Sequence, residues 1–131
     1  MRRAAALALA ASLLQGGCAS DPKKYRFPPA VTPRPGLVET GIASWYGPGY
    51  NGKRTSSGEK FDQDDLTAAH VSWVFGTRVR VTLLSTGKSV VVRINDRFPN
   101  HKGRAIDLSR EAARRIGLIG PGTGKVRIEV L

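Results

Sequence analysis

The sequence has few acidic residues, few aromatic residues and a single cysteine, and each shortage narrows what this 131-residue chain can be. One cysteine excludes an internal disulfide. No stretch reaches the roughly 18 to 20 consecutive apolar residues that a membrane-spanning helix needs. Nine aromatics against 15 Gly and 8 Pro favour a turn-rich fold, and 40% apolar residues are enough for one small globular core.

What the sequence does contain is positive charge. Its 21 Lys and Arg face 10 Asp and Glu, which leaves a formal charge of +11. Such an excess first suggests a polyanionic partner, either nucleic acid, an anionic membrane or another charged polymer.

The N-terminus has the layout of an export signal. Two arginines precede an apolar run over residues 4–14, and two glycines follow just before Cys18. This pattern is similar to a bacterial lipoprotein signal, which implies removal of residues 1–17 and a lipid anchor on Cys18. Because Ala19 rather than Asp follows, the resemblance implies the periplasmic face of the outer membrane. The alternative is a soluble secreted or periplasmic protein with a free thiol.

Export argues against nucleic acid, because an exported protein meets peptidoglycan, anionic lipids and lipopolysaccharide instead. Residues 21–36 contain five prolines and no apolar period, which is typical of a semi-rigid extended tether. At about 3 Å per residue such a tether reaches roughly 50 Å from a lipid anchor. We therefore divide the chain into a signal at 1–17, a Pro-rich tether at 18–36 and a folded domain at 37–131.

Short segments of the folded domain alternate between apolar and polar residues, which predicts strands. The predicted strands are 40–46, 78–84, 89–96 and 125–131, and the second and third form a hairpin. One helix is expected, with Ser109 as its N-cap and Gly117 at its end. Several short strands, one helix and frequent glycine indicate a mainly β fold, a small closed barrel.

No motif in the sequence supports a cofactor or a metal. Gly47, Gly49 and Gly52 have the spacing of a dinucleotide-binding fingerprint, but no helix opens after them. His70 and His101 come without metal-ligand spacing. We therefore expect neither a cofactor nor a metal site.

Acidic residues and histidine gather in two places. If the strand that contains Val90 keeps its alternation, Asp96 lies on the inward apolar face, where partial burial would raise its pKa and favour a general acid. The alternative is that Asp96 opens a turn and bonds to nearby backbone. Glu59, Asp62 and His70 lie in the second, turn-like cluster.

Five ordered segments resemble the rare lipoprotein A family: GIASWYGPGYNGKRTSSGEKFDQDDLTAAH, FGTRVRVT, VVVRINDR, GRAIDLS and VRIEVL. The resemblance covers residues 41–131 and implies a six-stranded double-psi β-barrel with one or two short helices. It further implies an endolytic lytic transglycosylase, which cleaves the MurNAc–GlcNAc bond of peptidoglycan and leaves 1,6-anhydromuramic ends. Peptide-stripped glycan strands are the expected substrate.

The resemblance also assigns roles to residues. It implies that Asp96 acts first as general acid on the glycosidic oxygen and then as base on the muramic 6-hydroxyl. Glu59, Asp62 and His70 complete the expected catalytic set by orienting substrate or tuning the acid. From their side-chain chemistry, Trp45, Tyr46 and Tyr50 are expected to bind substrate as sugar-stacking faces, and the alternative is that these rings belong to the barrel core. Asn95 and Arg97 flank Asp96 and are the expected partners of the muramic lactyl carboxylate.

Two other functions stay open at this point. Because the barrel is similar to that of expansins, the domain could be a non-catalytic glycan-binding or wall-loosening module. The basic surface could also make it a scaffold for cell-division proteins or anionic lipids.

Overall fold

The computed structural model describes residues 25–99 and 103–131, and this part of the chain contains six strands and one helix. In chain order these are β1 (Val38–Trp45), β2 (Thr67–Ala69), β3 (Arg78–Leu83), β4 (Ser89–Asp96), β5 (Arg104–Leu108), α1 (Arg110–Ile116) and β6 (Gly124–Val130). The strands close into a barrel in the order β1-β5-β2-β4-β3-β6. The predicted mainly β fold and closed six-stranded barrel are confirmed.

The barrel core comes from alternating apolar residues, as the sequence pattern predicts. On β3, Val81 and Leu83 are buried and lie opposite Ile128 and Val126 of the antiparallel strand β6. Every second position of these strands carries a branched apolar side chain, which packs well on a pleated surface. Each such side chain contributes about 1.5 to 3 kcal/mol on full burial.

The helix α1 begins and ends where the sequence predicts. The Ser109 hydroxyl accepts a hydrogen bond from the Ala112 backbone N–H at 3.2 Å and donates one to the Asp65 carbonyl at 2.6 Å. Gly117 ends the helix in the left-handed conformation with φ at 84°, which a glycine adopts without strain. Both predicted caps are therefore confirmed.

Strands β2 and β5 were not predicted from the sequence. The three residues of β2 are all buried, so they show no alternation between polar and apolar positions. β5 is short and contains both Arg104 and Asp107, which resembles a polar loop. These two strands lie side by side in the barrel wall, with β2 between β4 and β5. Neither strand alternates polar and apolar residues in the way that predicts a strand.

Part of the predicted tether packs on the barrel. The Val31 backbone N–H donates to the Ser72 carbonyl at 2.8 Å, and the Val74 N–H donates to the Val31 carbonyl at 2.9 Å. The chain joins the barrel at Val31, before the predicted boundary at Leu37.

The predicted signal and Cys18 lie outside the described residues. Within residues 25–99 and 103–131, no helix is both long enough and apolar enough to cross a membrane.

Candidate active site

Four residues from four adjacent strands form one row across the barrel wall. Asp96 on β4 pairs with Ala69 on β2, Ala69 pairs with Asp107 on β5, and Asp107 pairs with Ser44 on β1. Neighbouring strands lie about 4.8 Å apart, so the Cα atoms of the two aspartates are roughly 10 Å apart. The fully buried Ala69 between them presents only a methyl group.

A cavity of about 440 Å³ lies beside this row, and both aspartates line it. We call this cavity the groove. Its other side chains are mainly aromatic and cationic: Trp45, Tyr46, Tyr50, Phe98, Lys53, Arg54, Arg97 and Arg104. Carboxyl groups, ring faces and positive charges in one cavity are the components needed to bind and cleave an anionic sugar polymer.

A second, larger cavity of about 640 Å³ has a different character. Its lining is mostly apolar, with Phe75, Val91 and Leu131 among its residues and Arg78 as its ionisable group. Because general acid–base chemistry needs a group that titrates in the working pH range, we place the site in the smaller groove.

Three donors hold the Asp96 carboxylate in the groove. The Tyr46 hydroxyl donates to Oδ2 at 2.7 Å, and the backbone N–H groups of Ser56 and Arg97 donate to Oδ1, each at 2.8 Å. Burial raises the pKa of Tyr46, and the charge of Asp96 adds to that effect, so the phenol stays neutral and donates. Both Asp96 oxygens therefore accept hydrogen bonds.

The prediction that Asp96 lies on the inward face of its strand is wrong. Ala68 pairs with Ile94, but the next residue, Ala69, pairs with Asp96, so Asn95 is an extra residue on β4. This bulge reverses the alternation. Asn95 is therefore 2% exposed, while Asp96 is half-buried and faces the groove. The bond from Arg97 to Asp96 fits the alternative in which the carboxylate binds nearby backbone.

Asp107 is a second carboxyl group of the groove, and sequence reasoning did not single it out. The Ser44 hydroxyl donates to its Oδ1 at 2.9 Å, and Arg104 Nη2 lies 3.9 Å from the same oxygen. Burial raises the pKa of Asp107 and the charge of Asp96 adds to this, while Ser44 and Arg104 oppose it. Asp107 lies in β5, which has no alternation of polar and apolar residues, so the sequence pattern did not indicate it.

Glu59 supports the residue that precedes Asp96. Its Oε1 accepts hydrogen bonds from Asn95 Nδ2 and, at 2.9 Å, from Arg93 Nη1. The bond from Asn95, together with the nearby Arg93, holds the pKa of Glu59 below its usual value. Glu59 thus fixes the buried Asn95 side chain of the bulge.

His70 is buried beside the groove and its ring is held by its neighbours. The ring stacks on Trp73, with centroids 3.9 Å apart. Nδ1 accepts from the backbone N–H groups of Ser72 and Trp73, so in the neutral ring the proton lies on Nε2, 3.2 Å from Glu39 Oε1. The His70 backbone N–H donates to the Asp96 carbonyl at 3.1 Å, which ties the two segments together.

Asp62 is exposed and shapes a turn. Its Oδ1 accepts from the Asp64 backbone N–H at 2.9 Å, which is the geometry of an Asx turn.

Arg97 lines the groove in a fixed position. Its guanidinium lies 4.3 Å from the centre of the Phe75 ring, and Nη1 donates to the His70 carbonyl at 3.2 Å. Burial lowers the pKa of Arg97, although an arginine stays charged at any physiological pH.

The three aromatic residues predicted to bind sugar all reach the groove. Tyr46 stacks on Phe61 at 4.3 Å and is nearly buried, so its ring belongs to the groove floor. Tyr50 is 53% exposed and meets Tyr46 edge-on, and Trp45 is half-buried. Tyr50 is therefore the most exposed of the three rings, while Trp45 also packs against the barrel core.

The structure thus divides the predicted site residues into two groups. Asp96, Arg97 and the three aromatics line the groove. Among the predicted site residues in the described part of the chain, Glu59, Asp62, His70 and Asn95 do not line the groove. Of these, Glu59 and His70 bond to the strand end that carries Asp96, and Asn95 belongs to it. Asp62 bonds to Asp64 and Asp65 within its own turn.

The protein is thus a small closed β-barrel domain with two carboxyl groups in a groove on its wall. The lytic transglycolase family model, a double-psi β-barrel family, matches residues 38–128. The chain therefore belongs to the lytic transglycolase family, and the resemblance seen in the sequence is confirmed.

Curated relatives match the same part of the chain. A "Probable endolytic peptidoglycan transglycosylase RlpA" from Synechocystis sp. is 57% identical over 94 residues, which is 72% of this chain and 29% of that protein. An "Endolytic peptidoglycan transglycosylase RlpA" from Campylobacter jejuni is 50% identical over 96 residues, 73% of this chain and 35% of that protein. The chain thus spans about a third of the length of these relatives.

Solved structures share the fold. Streptomyces papain inhibitor superposes with a TM-score of 0.61 at 19% identity, covering 73% of this chain and 96% of its own. A Clavibacter michiganensis expansin superposes with a TM-score of 0.57 at 21% identity, covering 72% of this chain and 50% of its own. At these identities the likeness concerns the fold alone.

Proposed function

We propose that this chain is an endolytic peptidoglycan lytic transglycosylase that cleaves the MurNAc–GlcNAc bond of peptide-stripped glycan strands. The observation that carries the proposal is the Asp96 carboxylate, held by three donors in a groove with exposed rings and positive charges. The names of the relatives, which are 57% and 50% identical, support the same substrate and reaction.

The reaction requires two proton transfers. The bond between muramic C1 and the GlcNAc O4 breaks, and O4 must gain a proton. The muramic O6 then bonds to C1 and must lose a proton, which closes the 1,6-anhydro ring without water. Asp96 is the carboxyl group at which we place this chemistry, because its oxygens are fixed and face the groove. In the simplest version, Asp96 performs both transfers in turn.

The groove walls fit the substrate in shape and charge. Trp45 and Tyr50 offer ring faces on which sugars stack. Peptide-stripped glycan exposes a lactyl carboxylate on each disaccharide, and Arg97 and Arg104 provide guanidinium groups that pair with carboxylates. Both guanidinium groups are held in place, since Arg97 lies over Phe75, and Arg104 lies over Phe98 and donates to Ser44.

The test is digestion of purified peptide-stripped glycan strands, with mass spectrometry for 1,6-anhydromuramic ends. We expect the wild type to produce these ends and Asp96→Asn to lose at least about 100-fold of the rate, because proton transfer contributes about 10² to 10⁴-fold. Asp64→Asn, the same change at an exposed turn, is the matched control. Wild-type protein that pellets with sacculi but produces no anhydro ends would instead identify a non-catalytic glycan-binding module.

We also propose that Cys18 is lipidated and anchors the barrel to the periplasmic face of the outer membrane. The small residues before Cys18 and the short apolar run support this. Expression with a labelled fatty acid tests it: the wild type should incorporate label and fractionate with outer membranes, and Cys18→Ala should do neither. Label in the variant would refute the assignment. Cell-division proteins stay predicted partners.

A further inference from the structure

We propose that Asp107 is a second catalytic carboxyl group, which donates a proton to the leaving GlcNAc oxygen while Asp96 removes the proton from the muramic 6-hydroxyl. This inference rests on the proposed function. It divides between two residues the work that Asp96 would otherwise perform alone.

The strand register places the two carboxyl groups on opposite sides of one small residue. Asp96 and Asp107 both pair with Ala69, and both line the groove. Their Cα atoms are about 10 Å apart, from two strand spacings. That spacing is comparable with the roughly 6.5 to 9.5 Å between the two carboxyl groups of inverting glycosidases, and the charge of Asp96 acts on Asp107. Ala69 itself is fully buried, in one cluster with Tyr46, Phe61 and Phe98.

The two carboxyl groups have different surroundings. Asp96 accepts from three donors, which suits a base. Asp107 lies deeper, with 14% of its side chain exposed, and burial raises its pKa. Paired titratable groups in contrasting environments are how enzymes assign an acid and a base at one pH.

Hydrogen-bond directions show which oxygen of Asp107 carries the proton. Arg104 donates to the Ser44 oxygen through Nε at 3.2 Å and Nη2 at 2.7 Å. An arginine can only donate, so the single Ser44 hydroxyl hydrogen points to Asp107 Oδ1 at 2.9 Å. Since Oδ1 accepts this bond, the proton of the acid form lies on Oδ2.

The proposed step balances its protons. The C1–O4 bond breaks as the Asp107 Oδ2 proton moves to O4, and GlcNAc leaves as a neutral alcohol. The O6–C1 bond forms as the O6 proton moves to the Asp96 carboxylate. Asp107 ends ionised and Asp96 protonated, so one proton returns from Asp96 to Asp107, directly or through water, before the next turnover.

A comparison of two leaving groups tests this division of roles. One substrate is the natural glycan strand, and the other carries 4-nitrophenol on C1 of a terminal MurNAc. Nitrophenolate leaves without a proton, so Asp107→Asn should lose about 100-fold or more on the glycan but less than about 10-fold on the aryl substrate. Asp96→Asn should lose at least about 100-fold on both, because the 6-hydroxyl must be deprotonated in either case.

Folding is checked for each variant by circular dichroism and thermal unfolding. Should Asp107→Asn fail to fold, Ser44→Ala replaces it: loss of the hydroxyl that orients Asp107 should slow glycan cleavage more than aryl cleavage. Asp64→Asn should match the wild type on both substrates. Equal losses on the two substrates, or full glycan cleavage by Asp107→Asn, would overturn the role of Asp107. If the wild type itself makes no anhydro ends, it is the proposed function that fails.

Discussion

Tyr46→Phe tests how far the rigidity of Asp96 contributes to the reaction. Tyr46 is 9% exposed, and its ring stacks on Phe61. Phenylalanine keeps that packing and removes only the hydroxyl that donates to Asp96 Oδ2 at 2.7 Å. Oδ2 then loses its donor, while Oδ1 keeps the backbone donors of Ser56 and Arg97.

The expected loss of rate follows from the strength of this one bond. A hydrogen bond to a charged group contributes about 1.5 to 3 kcal/mol. At 1.36 kcal/mol per factor of ten, complete loss in the transition state lowers kcat by about 10- to 160-fold. We expect about 10-fold, the lower end, because Asp96 keeps two donors. The free energy of unfolding should fall by no more than roughly the same 1.5 to 3 kcal/mol, since the ring packing survives.

The assay measures kcat and KM for release of anhydromuramic ends by Tyr46→Phe, with thermal unfolding in parallel. Tyr25→Phe is the matched control, because Tyr25 is exposed and lies outside the groove lining. A fall in kcat with KM unchanged supports the positioning role. An unchanged kcat would show that Tyr46 does not position Asp96 for catalysis.

Three further predictions concern stability and binding. Ser109→Ala removes the N-cap of α1 and the hydroxyl that donates to the Asp65 carbonyl. The free energy of unfolding should therefore fall by about 2 kcal/mol and Tm by about 8 to 16 °C. An unchanged Tm would contradict this. Asp107→Asn should become more stable than the wild type, as measured by Tm, when the pH rises above about 3.9. The native pKa of Asp107 is raised, so the wild type loses stability between the pKa of the unfolded chain and that of the native protein. The charged or titratable neighbours of Asp107 are Asp96, Tyr46 and Arg104. A constant Tm difference from pH 3 to 7 would refute this. Glycan binding should weaken as salt rises from roughly 0.05 to 0.5 M, because four cationic side chains line the groove, and salt-independent affinity measured by calorimetry would count against their role.

Periodicity predicted the elements that have one buried and one exposed face. β3, β4, β6 and the capped helix α1 follow their sequence patterns closely. β2 is buried throughout and β5 carries charges, so neither shows a period of two. The bulge at Asn95 was equally invisible, because an extra residue in a strand depends on the register of the neighbouring strand.

By itself, the sequence determined the alternating strands, the helix caps, the excess of positive charge and the motifs that identified the family. Asp96 was a candidate from its own segment alone. Only the tertiary structure decided which groups share the groove, because Ser44, Ala69, Asp96 and Asp107 meet through pairing between strands that are distant in sequence. Side-chain neighbours across a barrel are set by closure and register, which no local pattern encodes, and so Asp107 became a candidate only when the barrel was closed.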